Sequence, residues 1–195
     1  SPMNDEKKRI DRVLSSLEEL YREVDRLVEP LTRAHRDRLR CRRGCSGCCI
    51  DGITVFEVEA LSIRRSLQSL ASPQVPHGPG ACAFLDASGS CRIYPWRPYV
   101  CRTQGLPLRW IDEERFGKPV ELRDICPLND SGEPIEELPE EECWSIGPFE
   151  SRLAALQIEL SGGRLNRVGL RDLFGENRAD AVHAGPPVHE MEDIE

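Results

Sequence analysis

The sequence predicts a small α+β fold: an irregular, cysteine-rich centre with a β-hairpin, flanked by N- and C-terminal helices. Three observations predict it. An apolar seam with a helical period runs through the first thirty residues. All nine cysteines lie between residues 41 and 143. Between them the apolar runs are short and broken by Gly, Pro and Ser, which suits turns and short strands rather than long elements.

The N-terminal helix is expected over residues 5–29. Ile10, Leu14, Leu17, Tyr21, Val24, Val28 and Leu31 follow a 4-3-4-3-4-3 spacing, which places them on one face. Asn4 or Asp5 would cap it. Pro30 would end or kink it, or open a short basic helix over 30–40. The seam either packs on its own domain or pairs two chains as a homodimer.

A second helix is expected over 54–70, where Thr54 and Glu57 have the capping-box spacing. Residues 72–80 carry three prolines and must form a loop. Cys82–Leu85 and Cys91–Tyr94 flank a five-residue turn and predict the β-hairpin. A second short hairpin is expected in Leu108–Val120, around Asp112–Gly117. Residues 130–142 form an acidic loop, and Glu136, Glu137 and Glu140–Glu142 suit a solvated charge run better than a carboxylate site. Pro148–Leu160 forms the last helix, with Phe149, Leu153, Leu156 and Leu160 inward and Gly162-Gly163 stopping it. Beyond residue 176 the chain is acidic and expected to be disordered. The resulting division is a helical segment 3–40, a cysteine domain 41–175 and a tail 176–195.

Composition narrows the function. Of 195 residues, 39% are hydrophobic and 31% charged, too polar for a membrane protein and too apolar for a disordered chain. Net charge is −8, split as +4 over residues 1–102 and −12 over 103–195. An acidic total argues against nucleic acid as a partner. Six arginines between Arg33 and Arg43 lack the interleaved aromatics that stack bases. No charged-then-apolar leader is visible, so the expected location is the cytoplasm. There thiols stay reduced, and an odd count of nine favours metal ligation over disulfides.

The cysteines carry the chemistry. Cys41, Cys45, Cys48 and Cys49 form C-x3-C-x2-C-C, and Gly44 and Gly47 allow the tight reversals that bring two thiolates onto one ion. In extended backbone, Cys48 and Cys49 would point to opposite sides, so they would serve two neighbouring sites, or one would be a ligand and one core. Cys82, Cys91, Cys101 and Cys126 make a second group, and Cys126-Pro127 has the Cys-Pro pairing of ferredoxin ligands. Eight thiols make two sets of four. Cys143 is left outside as a buried thiol. Two such sites would carry a net charge of about −4, and Arg42, Arg43, Arg92, Arg97 and Arg102 lie beside the cysteines to offset it.

The Cys41–Cys49 run, Cys82-Ala-Phe-Leu-Asp and Cys91-Arg-Ile-Tyr-Pro-Trp-Arg-Pro-Tyr-Val-Cys101-Arg together resemble the YkgJ-like cysteine-cluster (CxxCxxCC) family. Its members are described as zinc- or iron-chelating and include flagellin lysine N-methylases. The resemblance covers about residues 41–126 and extends toward Trp144. It implies eight ligand cysteines, with Arg97 and Arg102 of Tyr-x-x-Arg-Pro-x-x-Cys-Arg as cofactor-binding residues. It implies an iron–sulfur cluster or zinc as cofactor, with the similar methylases tilting the choice toward iron. The function expected is a cytoplasmic metal-binding protein for electron transfer, metal handling or partner binding. The alternative is a protein lysine N-methyltransferase-like enzyme, and a thiol–disulfide sensor ranks third. The spacing Cys41-x3-Cys45-x2-Cys48 is also that of radical S-adenosylmethionine enzymes, but the chain is too short for their βα barrel.

Overall fold

A computed structural model describes residues 1–70 and 74–175. The predicted tail, 176–195, lies outside the described residues, as do residues 71–73 within the expected loop.

Helix α1 runs unbroken from Pro2 to Ala34, and the predicted seam faces inward. Val13, Leu14, Leu17, Leu20, Tyr21 and Val24 are buried, with Val13, Leu17 and Val24 at 0% exposure. They pack with Phe56, Val58, Tyr99, Leu106, Trp144, Phe149 and Leu153 in the largest apolar cluster. Ile10, Val28 and Leu31, at the two ends of the seam, are half-buried against the same cluster. Pro30 neither ends the helix nor starts a new one. It sits on the exposed face, where a backbone carbonyl freed by the missing N–H can turn to water. Past Ala34 the chain makes one turn, with Arg38 N–H and Leu39 N–H donating to the His35 carbonyl, so no separate 30–40 helix forms.

The second helix, α2, spans Glu57–Gln68 and begins later than expected. Thr54 is not its cap. It belongs to a short strand, β1 (Thr54–Phe56), and its hydroxyl accepts from Arg167 Nε at 3.0 Å. The helix N-terminus is served across the fold instead: Gln157, fully buried, accepts from Val58 N–H at 2.9 Å. A buried amide from another helix has displaced the local capping box.

Downstream come the one-turn helix α3 (Tyr99–Arg102), strands β2 (Leu108–Asp112), β3 (Val120–Asp124) and β4 (Trp144–Ser145), helix α4 (Ile146–Ser161) and strand β5 (Arg167–Gly169). Strands β2 and β3 form the second predicted hairpin, pairing Leu108 with Asp124 and Asp112 with Val120. Strand β4 adds parallel to β2, and β5 pairs antiparallel with β1. Helix α4 ends where Gly162 takes a left-handed conformation, φ 72°, as its Gly-Gly signal predicts. Phe149 and Leu153 face the core from α4, and Leu156 and Leu160 are half-buried.

The first predicted hairpin is reduced to one bridge, Leu85 opposite Cys91. Its tip is closed by Asp86, whose carboxylate accepts from Ser88 N–H and Ser90 N–H at 2.8 and 2.9 Å. The Arg92 guanidinium donates to the carbonyls of Phe84, Ala83 and Leu85 and takes the place of a longer ladder. Cys82 stands outside this bridge.

Candidate metal centre

Two tight turns shape the first cysteine segment. Cys45 N–H donates to the Arg42 carbonyl and Cys49 N–H to the Ser46 carbonyl, both at 2.9 Å. The first turn uses Gly44 at φ 84°, a conformation that a side chain disfavours. Cys41 and Cys48 are exposed, while Cys45 and Cys49 are half-buried.

The later cysteine segments pack onto this loop from two sides. On one side, Cys82 N–H donates to the Cys49 carbonyl at 2.9 Å. Cys82, with Cys49 and Cys91 beside it, joins a second apolar cluster with Val55, Ala60, Ile63, Phe84, Leu85 and Ile93. Cys101 comes in on α3. That helix is anchored by Glu59 of α2, a carboxylate 4% exposed that accepts from Tyr21 Oη at 2.6 Å and Tyr99 N–H at 2.7 Å. Burial pushes the Glu59 carboxyl up, against the lowering effect of those two donors.

On the other side lies the turn that follows Cys126. Asn129 is fully buried and ties three segments together. Its backbone N–H donates to the Cys126 carbonyl at 2.8 Å, its Oδ1 accepts from Arg40 N–H at 2.7 Å, and its Nδ2 donates to the Gly105 carbonyl at 2.8 Å. The same Nδ2 stands 3.5 Å from Cys41 Sγ. A Cβ on Gly105 would lie 2.5 Å from that sulfur, and its φ of 94° also excludes a side chain at low cost. The backbone leaves room at this point for sulfur alone.

The thiols influence one another. Burial pushes the Cys101 thiol up to about 12, and Cys82, Cys91 and Cys48 push it the same way. Burial also raises Cys91, whose sulfur accepts from Ile93 N–H, an effect that favours the thiolate. The neighbouring Cys48 and Cys49 thiols act on each other, which lowers Cys48 to about 6 and raises Cys49. Cys49 closes the Ser46 turn and packs against the second apolar cluster, while Cys48 is exposed.

The arginines beside the later cysteines, Arg92, Arg97 and Arg102, have partners in the scaffold, and Arg97 and Arg92 also favour the Cys91 thiolate through space. Arg102 is buried and faces α1: its Nη1 donates to Asp25 at 2.7 Å and its guanidinium lies 3.9 Å from the Tyr21 ring centroid. Arg97 stacks on Tyr94 and pairs with Asp25 at 3.8 Å. Both contacts are with the scaffold, and Arg97 acts on Cys91 only through space. Arg42 and Arg43 are exposed beside the first turn. Cys143 lies apart, in a third apolar cluster with Ile125, Ile135 and Leu138.

Sequence reasoning missed Asn129, Gly105 and Glu59. It also missed Arg171, which clamps Asp51 and the carbonyls of His77, Gly78 and Ala81. The turn-forming character of Gly105 was visible, but nothing local marks the others.

Among the described residues, no three His, Cys, Asp or Glu side chains converge on one point as the ligands of a single ion would. The donor chemistry nevertheless fits zinc or iron, since eight free cysteines lie on segments that pack against one another and thiolate is a preferred ligand of both metals. A family model described as CxxCxxCC, "Putative zinc- or iron-chelating domain", matches residues 40–126. That span contains these eight cysteines and excludes Cys143. No curated protein and no solved structure matches the chain.

Proposed function

We propose that this chain is a metal-binding protein in which cysteine thiolates hold iron, as an iron–sulfur cluster, or zinc, and that it passes metal or electrons to a protein partner. One observation carries the reading. Cysteines from the segments around 41–49, 82–91, 101 and 126 pack on one short loop, while the ninth cysteine is placed elsewhere. The matched zinc- or iron-chelating domain supports the same reading. Cys41, Cys45, Cys48, Cys49, Cys82, Cys91, Cys101 and Cys126 would be the ligands. When bound, the metal would supply cross-links that the short, irregular backbone here lacks.

The exposed edge of the site suits exchange with a partner. Cys41 and Cys48 reach the surface, flanked by Ile50 at 60% and Leu128 at 57% exposure. No helix among the described residues is long and apolar enough to cross a membrane.

Elemental analysis of anaerobically purified chain tests the proposal. Iron or zinc bound in at least stoichiometric amount is the expected result. Broad visible absorption would identify the iron–sulfur form, and a colourless zinc protein the other. A metal-free chain that takes up neither ion and keeps its full melting transition would overturn the reading.

A further inference from the structure

We infer that the loop carrying Cys41 and Cys48 is a docking face for a protein partner that presents carboxylates around an apolar side chain. This rests on the metal-binding reading above and names the chemistry of the partner that would meet that site.

Charge sets the face apart. The chain is acidic, with a net charge of −8, yet Arg36, Arg40, Arg42 and Arg43 are all exposed. The exposed acids beside them are Asp37, which pairs with Arg36 at 3.8 Å, and Asp130. The Arg40 guanidinium donates to the Asp37 carbonyl at 2.9 Å. Arg42 and Arg43 make no side-chain hydrogen bond or ion pair among the described residues. Arginines near the other cysteines are held by the scaffold, Arg92 by three carbonyls and Arg102 by Asp25. The Arg42 and Arg43 guanidinium groups keep their donors for a group outside the chain.

Between these charges the surface is apolar. Arg40 N–H donates to Asn129 Oδ1 at 2.7 Å, and Asn129 Nδ2 lies 3.5 Å from Cys41 Sγ. That tie brings Leu128 onto the loop, where its Cδ1 lies 3.6 Å from where a side chain on Gly47 would begin. Leu128 is still 57% exposed, and Ile50, just past Cys48, is 60% exposed. Two apolar side chains and two exposed thiols are thus edged by arginines. An apolar centre with a charged rim suits a protein surface. Nucleic acid is favoured by aromatic side chains among the cations, and residues 33–50 contain no Phe, Trp or Tyr. Carboxylates on the partner would be drawn to the rim and would orient its apolar group over Cys41 and Cys48.

Fluorescence anisotropy of a labelled peptide in which pairs of glutamates alternate with leucine tests this, with the purified full chain at low ionic strength. Saturable binding that weakens as salt rises is expected. Arg42→Gln with Arg43→Gln should weaken it about five- to tenfold, the equivalent of two exposed ion pairs. Leu128→Ser should weaken it without changing its salt dependence. Arg22→Gln with Arg26→Gln, both exposed on α1, should leave it unchanged. Equal binding of the peptide with lysine in place of glutamate, or equal loss in the two double variants, would overturn the inference. Tighter binding of a single-stranded oligonucleotide through Arg42 and Arg43 would overturn it in favour of nucleic acid. A salt-sensitive dimer that Arg42→Gln with Arg43→Gln dissolves would overturn it in favour of a second copy of the chain. Metal content of the same preparation separates the two readings. Metal uptake without peptide binding overturns the docking face alone, and peptide binding by a chain that takes up neither iron nor zinc overturns the metal-binding reading alone.

Discussion

Leu17 and Cys48 belong to regions built on different physics. Around Leu17, helices α1, α2 and α4 and the aromatic group Tyr99, Trp144 and Phe149 share one apolar cluster. Each fully buried aliphatic side chain there contributes on the order of 1.5–3 kcal/mol. Around Cys48 the chain has short turns, few ladder bonds and polar clamps. Arg92 and Arg171 together hold six backbone carbonyls, and Asn129 holds three segments. Each such bond contributes about 0.5–1.5 kcal/mol net between neutral groups and about 1.5–3 kcal/mol where the guanidinium donates. The helical layer can stand on burial. The cysteine region has its path drawn by hydrogen bonds and a smaller apolar cluster, and under the proposed function ligation would add a cross-link.

Metal removal should separate the two regions most sharply. Structural zinc contributes on the order of 10–16 kcal/mol to the folding of small thiolate sites. Chelation should therefore abolish hydrogen-exchange protection across 41–126 while α1 keeps part of its helical signal. Retention of the complete melting transition after stripping would erase the distinction.

Leu17→Ala attacks the other side. The side chain is fully buried, so the cost should be about 2–5 kcal/mol. Denaturant titration should show the loss in α1 and α4, with metal per chain unchanged at low denaturant.

Asn129→Ala should act on the cysteine region by a smaller amount. It leaves Arg40 N–H and the Gly105 carbonyl without their partner, at about 1–3 kcal/mol. Faster release of metal by chelator, with little change in the helical melt, is the expected signature. A uniform loss across both regions would show that Asn129 belongs to the common scaffold.

The smallest effect concerns pH at the seam between the regions. Glu59 has its carboxyl raised by burial, so the folded state holds that proton more readily than the unfolded state. Its contribution is full below the ordinary carboxylate range of about 4 and falls as pH rises through the raised value. Stability of the metal-loaded chain should decline across that upward interval, and Glu59→Gln should flatten the decline. An unchanged slope in Glu59→Gln would assign the pH dependence to other groups.

Legibility in the sequence followed the range of the forces. The α1 seam, the β2–β3 hairpin and the Gly162 stop of α4 were legible because period, turn chemistry and termination are local. The role of Thr54 was misread because Gln157, about a hundred residues away, supplies the bond that a local cap would make. Of the outcomes open for Pro30, an end and a new start were excluded only by the continuous helix, whose packing on the rest of the chain outweighs the one lost backbone bond. Arg97 and Arg102 were legible as cations near cysteines, but their partner Asp25 sits on α1 and could not be seen from spacing.

The sequence by itself determined that the middle of this protein is made of thiols on turns, with helices on either side, because residue type and local spacing set both. Only the tertiary structure decided which thiols are neighbours. It sets Cys49 beside Cys82, Cys41 beside the turn of Cys126, and Cys143 away from all of them. Proximity in space follows from the packing of segments that lie far apart along the chain, and no local pattern of cysteines encodes it.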